Sequence, residues 1–238
     1  VSRQPRSVVS LQSAVAYGHV GNSAATLPLQ RLGFEVWPVA TVSLAHHPAH
    51  GAWRGRIARK GELDTVLEGL EACGAFADCA AVLSGYLGEA ALGPVVLEAV
   101  ARAKRADPDA VYCCDPVMGD AGGFYVRAGI PAFLRDAALP CADILLPNPF
   151  ELGVLAGGAI AGIAAAEDAA RALLARGPRL VVVTGLERVE RGTRRIGALA
   201  VARRGSVHVE TPWVDAPASG AGDAFAALFL GHVLRGRP

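Results

Sequence analysis

Short apolar runs alternate with longer amphipathic stretches along most of the chain. Ser7-Val8-Val9-Ser10-Leu11, Glu35-Val36-Trp37-Pro38-Val39, Ala80-Ala81-Val82-Leu83, Val111-Tyr112-Cys113-Cys114, Ile144-Leu145-Leu146 and Leu180-Val181-Val182-Val183 have the length and composition of strands. Between them Ala24–Leu32, closed by Gly33, and then Glu62–Cys73, Leu92–Arg105 and Glu167–Ala175 read as helices. A hairpin, Gly197–Ala202 and Ser206–Val209 around Arg203-Arg204-Gly205, precedes an apolar closing helix with Asp223 at its first position. Strands this apolar, separated by helices, predict an α/β fold. It is a doubly wound, mostly parallel sheet with helices on both faces and no separate large lid domain.

That order gives the polar residues a meaning. Ser13 lies just past the first strand and Ser84-Gly85-Tyr86 just past another. Asp115 closes the Val111–Cys114 strand, Asn148 and Glu151 follow Ile144–Leu146, and Thr184-Gly185 follows Val183. Open α/β sheets bind ligands outside the carboxyl ends of their strands, so these residues converge on one edge together with Gly220–Asp223.

Gly220-Ala221-Gly222-Asp223 is a glycine-rich turn opening a helix. Its backbone N–H groups and the helix dipole favour an anion, and a carboxylate stands beside them. One reading is a tight turn with an Asp helix cap. The other is phosphoryl transfer to an alcohol, which needs a proton acceptor next to stabilised negative charge. Asp115 and Glu151, with Asn148 close by, suit Mg²⁺ carrying nucleotide phosphates; a strand-end turn and a solvated helix start are the plainer alternatives. Asp120 is either a metal-water contact or a turn residue. Tyr86 is either a stacking wall for a flat ring or a core aromatic. His46-His47-Pro48-Ala49-His50 lacks the spacing of a zinc site and reads as a substrate-covering loop, with His46 or His50 touching ligand. Ser13 lacks a positioned histidine and a nucleophile elbow, so it reads as a hydrogen-bonding group.

Composition narrows the classes. The 238 residues carry 23 basic and 22 acidic side chains, a net charge of +1, which argues for neither nucleic acid nor an anionic membrane as partner. The only lysines are Lys60 and Lys104, neither in a glycine-rich turn, so there is no Walker-type lysine. Five cysteines form no C-x-x-C pair, and Val1–Ser10 does not have the charged-then-apolar build of a leader. The uncharged run Leu152–Ala166 is broken by glycines. The expectation is a cytoplasmic, reduced protein of one domain, with at most a small flap.

With these pieces placed, the chain resembles the pyridoxal kinase family of the ribokinase-like superfamily. The matching stretches are Gln12-Ser13, Tyr17-Gly18-His19-Val20-Gly21-Asn22-Ser23, Leu32-Gly33-Phe34-Glu35-Val36-Trp37-Pro38 and Leu83-Ser84-Gly85-Tyr86-Leu87-Gly88. They continue through Cys114-Asp115-Pro116-Val117-Met118-Gly119-Asp120, Pro147-Asn148-Pro149-Phe150-Glu151 and Gly220–Asp223. The resemblance implies ATP-dependent phosphorylation of the 5′-hydroxymethyl group of pyridoxal, pyridoxine or pyridoxamine, and one kinase domain over 1–238. It implies Asp223 as general base and Gly220, Ala221 and Gly222 as anion hole. Ser13, Val20, Val42, His46, Pro48 and Tyr86 are then the substrate contacts. Asp115, Asn148, Glu151, Thr184, Gly185 and Tyr125 form the nucleotide site, with Mg²⁺ on Asp115, Asp120 and Glu151. The family is also a homodimer responsive to K⁺ or Na⁺.

The chain departs from the family pattern in several places. Ala221 stands where Thr is usual, Pro48-Ala49-His50 replaces a Thr-containing loop, Gly185 replaces Ser or Thr, and Pro149 replaces Gln. The family's further closing helices would follow Arg237-Pro238. Two other readings therefore stay open: a kinase for another small alcohol, such as hydroxymethylpyrimidine or a sugar, and a catalytically silent binder of vitamer or nucleotide.

Overall fold

The alternating pattern folds as a sheet buried on both faces. In the computed structural model, which describes residues 6–52, 54–216 and 219–236, the main sheet has nine strands in the order β11-β10-β9-β8-β5-β4-β1-β2-β3. These are β1 (Ser7–Tyr17), β2 (Glu35–His46), β3 (Gly55–Ile57), β4 (Cys79–Ser84), β5 (Val111–Cys114), β8 (Ile144–Leu145), β9 (Leu180–Glu190), β10 (Thr193–Ala202) and β11 (Gly205–Pro212). The two-stranded β6 (Gly119–Asp120) and β7 (Gly123–Phe124) form a separate hairpin. From β9 through β8, β5, β4 and β1 to β2 every pairing is parallel; β3, β10 and β11 are antiparallel additions at the two edges.

Successive strand residues point to opposite faces and build two cores. Val9, Leu11, Val82, Tyr112, Cys114, Leu145, Val181 and Val183 pack on one side, against α2 (Lys60–Ala72), α3 (Gly93–Ala106), α6 (Pro149–Ala156) and α7 (Gly162–Leu174). The helical turns α4 (Ile130–Phe133) and α5 (Leu139–Cys141) join that side, linked by a wider π turn at Leu134–Ala138. Val8, Ala81, Leu83, Val111, Cys113, Ile144 and Val182 face α1 (Asn22–Arg31) and α8 (Ala221–Leu234) on the other. The neighbouring Cys113 and Cys114 thus divide between the two cores. Each fully buried aliphatic side chain contributes roughly 1.5–3 kcal/mol. Among the described residues, no helix is long and apolar enough to cross a membrane.

Several elements outrun their sequence signal. β1 continues to Tyr17, so Ser13 lies inside the strand and not past it. The β1–β2 register shifts there, with Gln12 opposite Ala40 and Ala14 opposite Ser43, so two residues of β2 face Ser13. β2 passes through Pro38, which is tolerated because β3 covers only Val42–Leu44 and leaves that stretch of β2 an open edge. β9 runs through Thr184 and Gly185, and the hairpin β10–β11 is longer than expected because it forms a sheet edge. Asp223 sits at the third position of α8 and not the first, because Gly220, at φ +85°, takes the left-handed N-cap position and the helix begins at Ala221.

Candidate active site

The chain leaves β1 for the β2 side of the sheet and returns at β4 on the other side of β1, which makes the carboxyl ends of these strands a topological switch point. A cavity of about 770 Å³ opens there. Of the residues expected at the site, Ser13, Val20, Val42, Pro48, Tyr86, Asp115, Asp120, Tyr125, Asn148, Glu151, Thr184, Gly220, Gly222 and Asp223 line it. The strand ends are stitched by backbone bonds: Gly85 N–H to Leu11 C=O (3.1 Å), Asp115 N–H to Ser84 C=O (2.9 Å), Thr184 N–H to Pro147 C=O (2.9 Å).

Three expected residues do not line it. His46 turns to a second contact set: its ring meets His50 edge-on at 6.2 Å, and His50 meets Tyr17 at 5.5 Å. These rings brace the loop, while His47 enters the cavity in their place. His47 Nδ1 lies 3.3 Å from Ala49 N–H. Gly185, at φ +66° in β9, and Ala221, in the first turn of α8, also lie off the wall. Leu44, Ile57, Val117, Arg127 and Leu146 join the lining without having been singled out. Ile57 belongs to β3, whose three residues are too few for a periodic signal.

The Gly220–Gly222 turn and the β1–α1 loop are in van der Waals contact. A Cβ on Gly220 would fall 1.8 Å from the carbonyl oxygen of His19, and one on Gly21 would fall 2.1 Å from that of Ser13. Gly21 and Gly220 both hold positive φ, where glycine alone is unstrained. The contact brings the Gly21 N–H onto Asp223.

Asn148 and Glu151 form a reciprocal cap at the start of α6. Asn148 Oδ1 accepts from Glu151 N–H (2.9 Å), and Glu151 Oε2 accepts from Asn148 N–H (2.9 Å). Glu151 Oε1 takes Met118 N–H (3.0 Å), and Asn148 Nδ2 donates to Gly119 C=O (2.7 Å), tying the β6–β7 hairpin to the helix. Glu151 is only 3% exposed, so it is not a solvated helix start.

Asp115, Glu151 and Asp223 have no ion-pair partner among the described residues. Burial lifts Glu151 to about 7, against the pull of the N–H groups of Asn148, Met118 and Gly119. Asp115 is pushed well above the usual carboxylate range by burial, then by the charges of Glu151 and Asp223. Asp223 is raised by burial, with Gly21 N–H and the charge of His47 working the other way. No cluster of three or more His, Cys, Asp or Glu is arranged as a metal cage among the described residues. Asp120 commits Oδ1 to Gly122 N–H (2.8 Å) as a turn residue does. Asp115 and Glu151 remain as two hard oxygen donors whose mutual repulsion a cation would relieve. That donor set fits Mg²⁺ retaining waters and phosphate ligands.

Comparison with known proteins gives a consistent picture. The family model described as phosphomethylpyrimidine kinase matches residues 57–238. Pyridoxal kinase PdxY of Rubrobacter xylanophilus is 52% identical over 232 residues, covering 97% of this chain and 80% of its own length. The PdxY pyridoxal kinase of Deinococcus radiodurans is 48% identical over 238 residues, with 97% and 80% coverage. Among solved structures, Leishmania donovani pyridoxal kinase in complex with ADP and pyridoxamine superposes with a TM-score of 0.89 at 33% identity, covering 96% of this chain and 82% of that one.

Proposed function

The chain belongs to the pyridoxal kinase family, and from that premise we propose that it transfers the γ-phosphoryl group of ATP to the 5′-hydroxymethyl group of a B6 vitamer. The observation that carries the mechanism is Asp223, half-buried at the cavity wall in the first turn of a helix whose glycine-rich start faces the same space. Asp223 takes the hydroxyl proton as the oxygen attacks phosphorus and the bond to the β-bridging oxygen breaks. The N–H groups of the Gly220–Gly222 turn stabilise charge on the equatorial oxygens. The raised affinity of Asp223 for a proton makes it a better acceptor than an exposed aspartate. Asp115 and Glu151 would hold Mg²⁺, which when bound would offset charge on the transferring phosphates.

Ser13, Val20, Val42 and Tyr86 hold the pyridine ring on the β1–β2–β4 side, under the loop carrying His47 and Pro48. Thr184 and Asn148 border the nucleotide, and Asn148 acts chiefly by fixing Glu151. The same reading carries the family's homodimer, its response to K⁺ or Na⁺, and a cytoplasmic location in keeping with five free cysteines.

Coupled ADP release with Mg²⁺·ATP, K⁺ and a panel of pyridoxal, pyridoxine, pyridoxamine, hydroxymethylpyrimidine and ribose tests the proposal. Turnover on a B6 vitamer is expected. Turnover restricted to hydroxymethylpyrimidine, a pyrimidine alcohol related to the phosphomethylpyrimidine named in the matched family model, would move the substrate and keep the chemistry. Vitamer binding without turnover would leave a silent binder.

A further inference from the structure

Arg127 is the only lysine or arginine lining the cavity among the described residues. It follows the β6–β7 hairpin, two residues after Tyr125, and its ion pair with Glu89 holds it against the segment that carries Tyr86, which lines the same cavity. Its Nη1 is held by Glu89 Oε1, at the end of the segment that follows β4; Nε and Nη2 have no protein partner among the described residues. Both side chains of this pair are about half exposed, so the ion pair itself adds little to stability. Its effect is orientation: one nitrogen of the guanidinium fork is anchored and two are left to meet an anionic oxygen.

Tyr86 locates that oxygen. The nucleotide end of the cavity, at Asp115, Glu151 and Thr184, is formed by β5, β8 and β9, whereas Tyr86 belongs with Ser13 and Val42 at the other end. A B6 vitamer has one group that ionises to an anion, the 3-hydroxyl on the pyridine ring, since the 5′-hydroxymethyl is directed to Asp223. We infer that Arg127, anchored by Glu89, is a specificity-determining residue that binds the 3-oxygen of the vitamer. This inference rests on the proposed vitamer kinase reading and adds the group by which the ring is selected.

Steady-state kinetics with pyridoxine and 3-deoxypyridoxine, varying ATP separately, test it. The unmodified chain should favour pyridoxine in kcat/KM by about 10- to 100-fold, the usual worth of a charge-assisted hydrogen bond. Arg127→Gln should raise KM for pyridoxine by a similar factor, leave KM for ATP unchanged and abolish the preference over 3-deoxypyridoxine. Glu89→Gln should do the same more weakly, because it loosens the anchor and leaves the charge. An Arg127→Gln protein that keeps the preference overturns the inference. So does one in which KM for ATP rises instead, which would assign Arg127 to the nucleotide phosphates. If the unmodified chain phosphorylates no vitamer, the kinase reading has failed and the inference falls with it, a result separate from either of those two.

Discussion

Two sets of carboxylates in this molecule are treated in opposite ways. On the β9–β10–β11 edge, Glu210 is gripped by Arg188 (Nη2–Oε2 2.7 Å) and Arg195 (Nε–Oε2 3.1 Å), and the Arg188 hydrogen bond leads in holding its carboxyl down to about 2. Glu187 is similarly matched by Arg194, whose guanidinium lies 3.7 Å above the Trp213 ring. At the carboxyl ends of β5 and β8 and the start of α8, Asp115 and Glu151 are buried and Asp223 half-buried, with no arginine against them among the described residues, and all three are raised. Charges that serve only the fold are neutralised within it. The cavity keeps negative charge unneutralised, and that is costly unless a cation, a transferred proton or both arrive with the ligands.

Asp223→Ala probes this contrast most sharply. Turnover should fall by about 10²–10⁴, the usual contribution of a general base, with the fold intact by circular dichroism. A variant with unaltered turnover would make the cavity carboxylates as structural as Glu210. Next in size, Asp115→Asn should raise the Mg²⁺ concentration for half-maximal rate by about tenfold or more, a change of about 1.4 kcal/mol. The same variant should unfold no more readily than the parent, since it removes a buried charge; a clear loss of thermal stability would mean that Asp115 has an internal partner.

The two sets should also separate by pH. Asp115 and Glu151 bind protons more tightly folded than unfolded, so between their ordinary range near 4 and about 7 the folded chain holds more protons. Stability without ligands should therefore decline as pH rises through that window, and Mg²⁺·ATP should offset the decline. Glu210 behaves inversely: its contribution is present above about 4.5 and is lost as pH falls toward about 2. Denaturant melts across pH, with and without Mg²⁺·ATP, measure both. The smallest effect belongs to Glu210→Gln, a slight salt-sensitive loss of stability with unchanged kinetics; a change in KM would tie the hairpin to the site.

Much of this contrast was legible in the chain. The strands Val111–Cys114 and Leu180–Val183, and the gathering of Ser13, Asp115, Glu151 and Asp223 at their ends, follow from apolar runs punctuated by polar residues. The burial of Glu151 did not, because a capping box at a solvated helix reads identically; only the overlying β6–β7 hairpin distinguishes the two. The exchange of His46 for His47 was hidden for a different reason. Adjacent residues in a short loop have no periodicity to say which faces inward, and ring packing with His50 and Tyr17 decides it. Arg127 was silent because a single arginine after a hairpin becomes informative only once Glu89 and Tyr86 are brought beside it.

The seam at Gly220 and Gly21 has a bearing on how this pocket could be redesigned. Its two halves come from opposite ends of the chain, yet neither glycine can gain even a methyl group: on Gly220 it would strike the His19 carbonyl oxygen across the joint, and on Gly21 the Ser13 carbonyl oxygen within its own half. A mutational library should therefore return glycine alone at both positions, whatever substrate is selected for. Ala221, one step along, exposed and outside the cavity lining, should accept many replacements. Room for a bulkier vitamer has to be found on the far wall, at Leu44 and Ile57, where side chains and not main chain set the boundary.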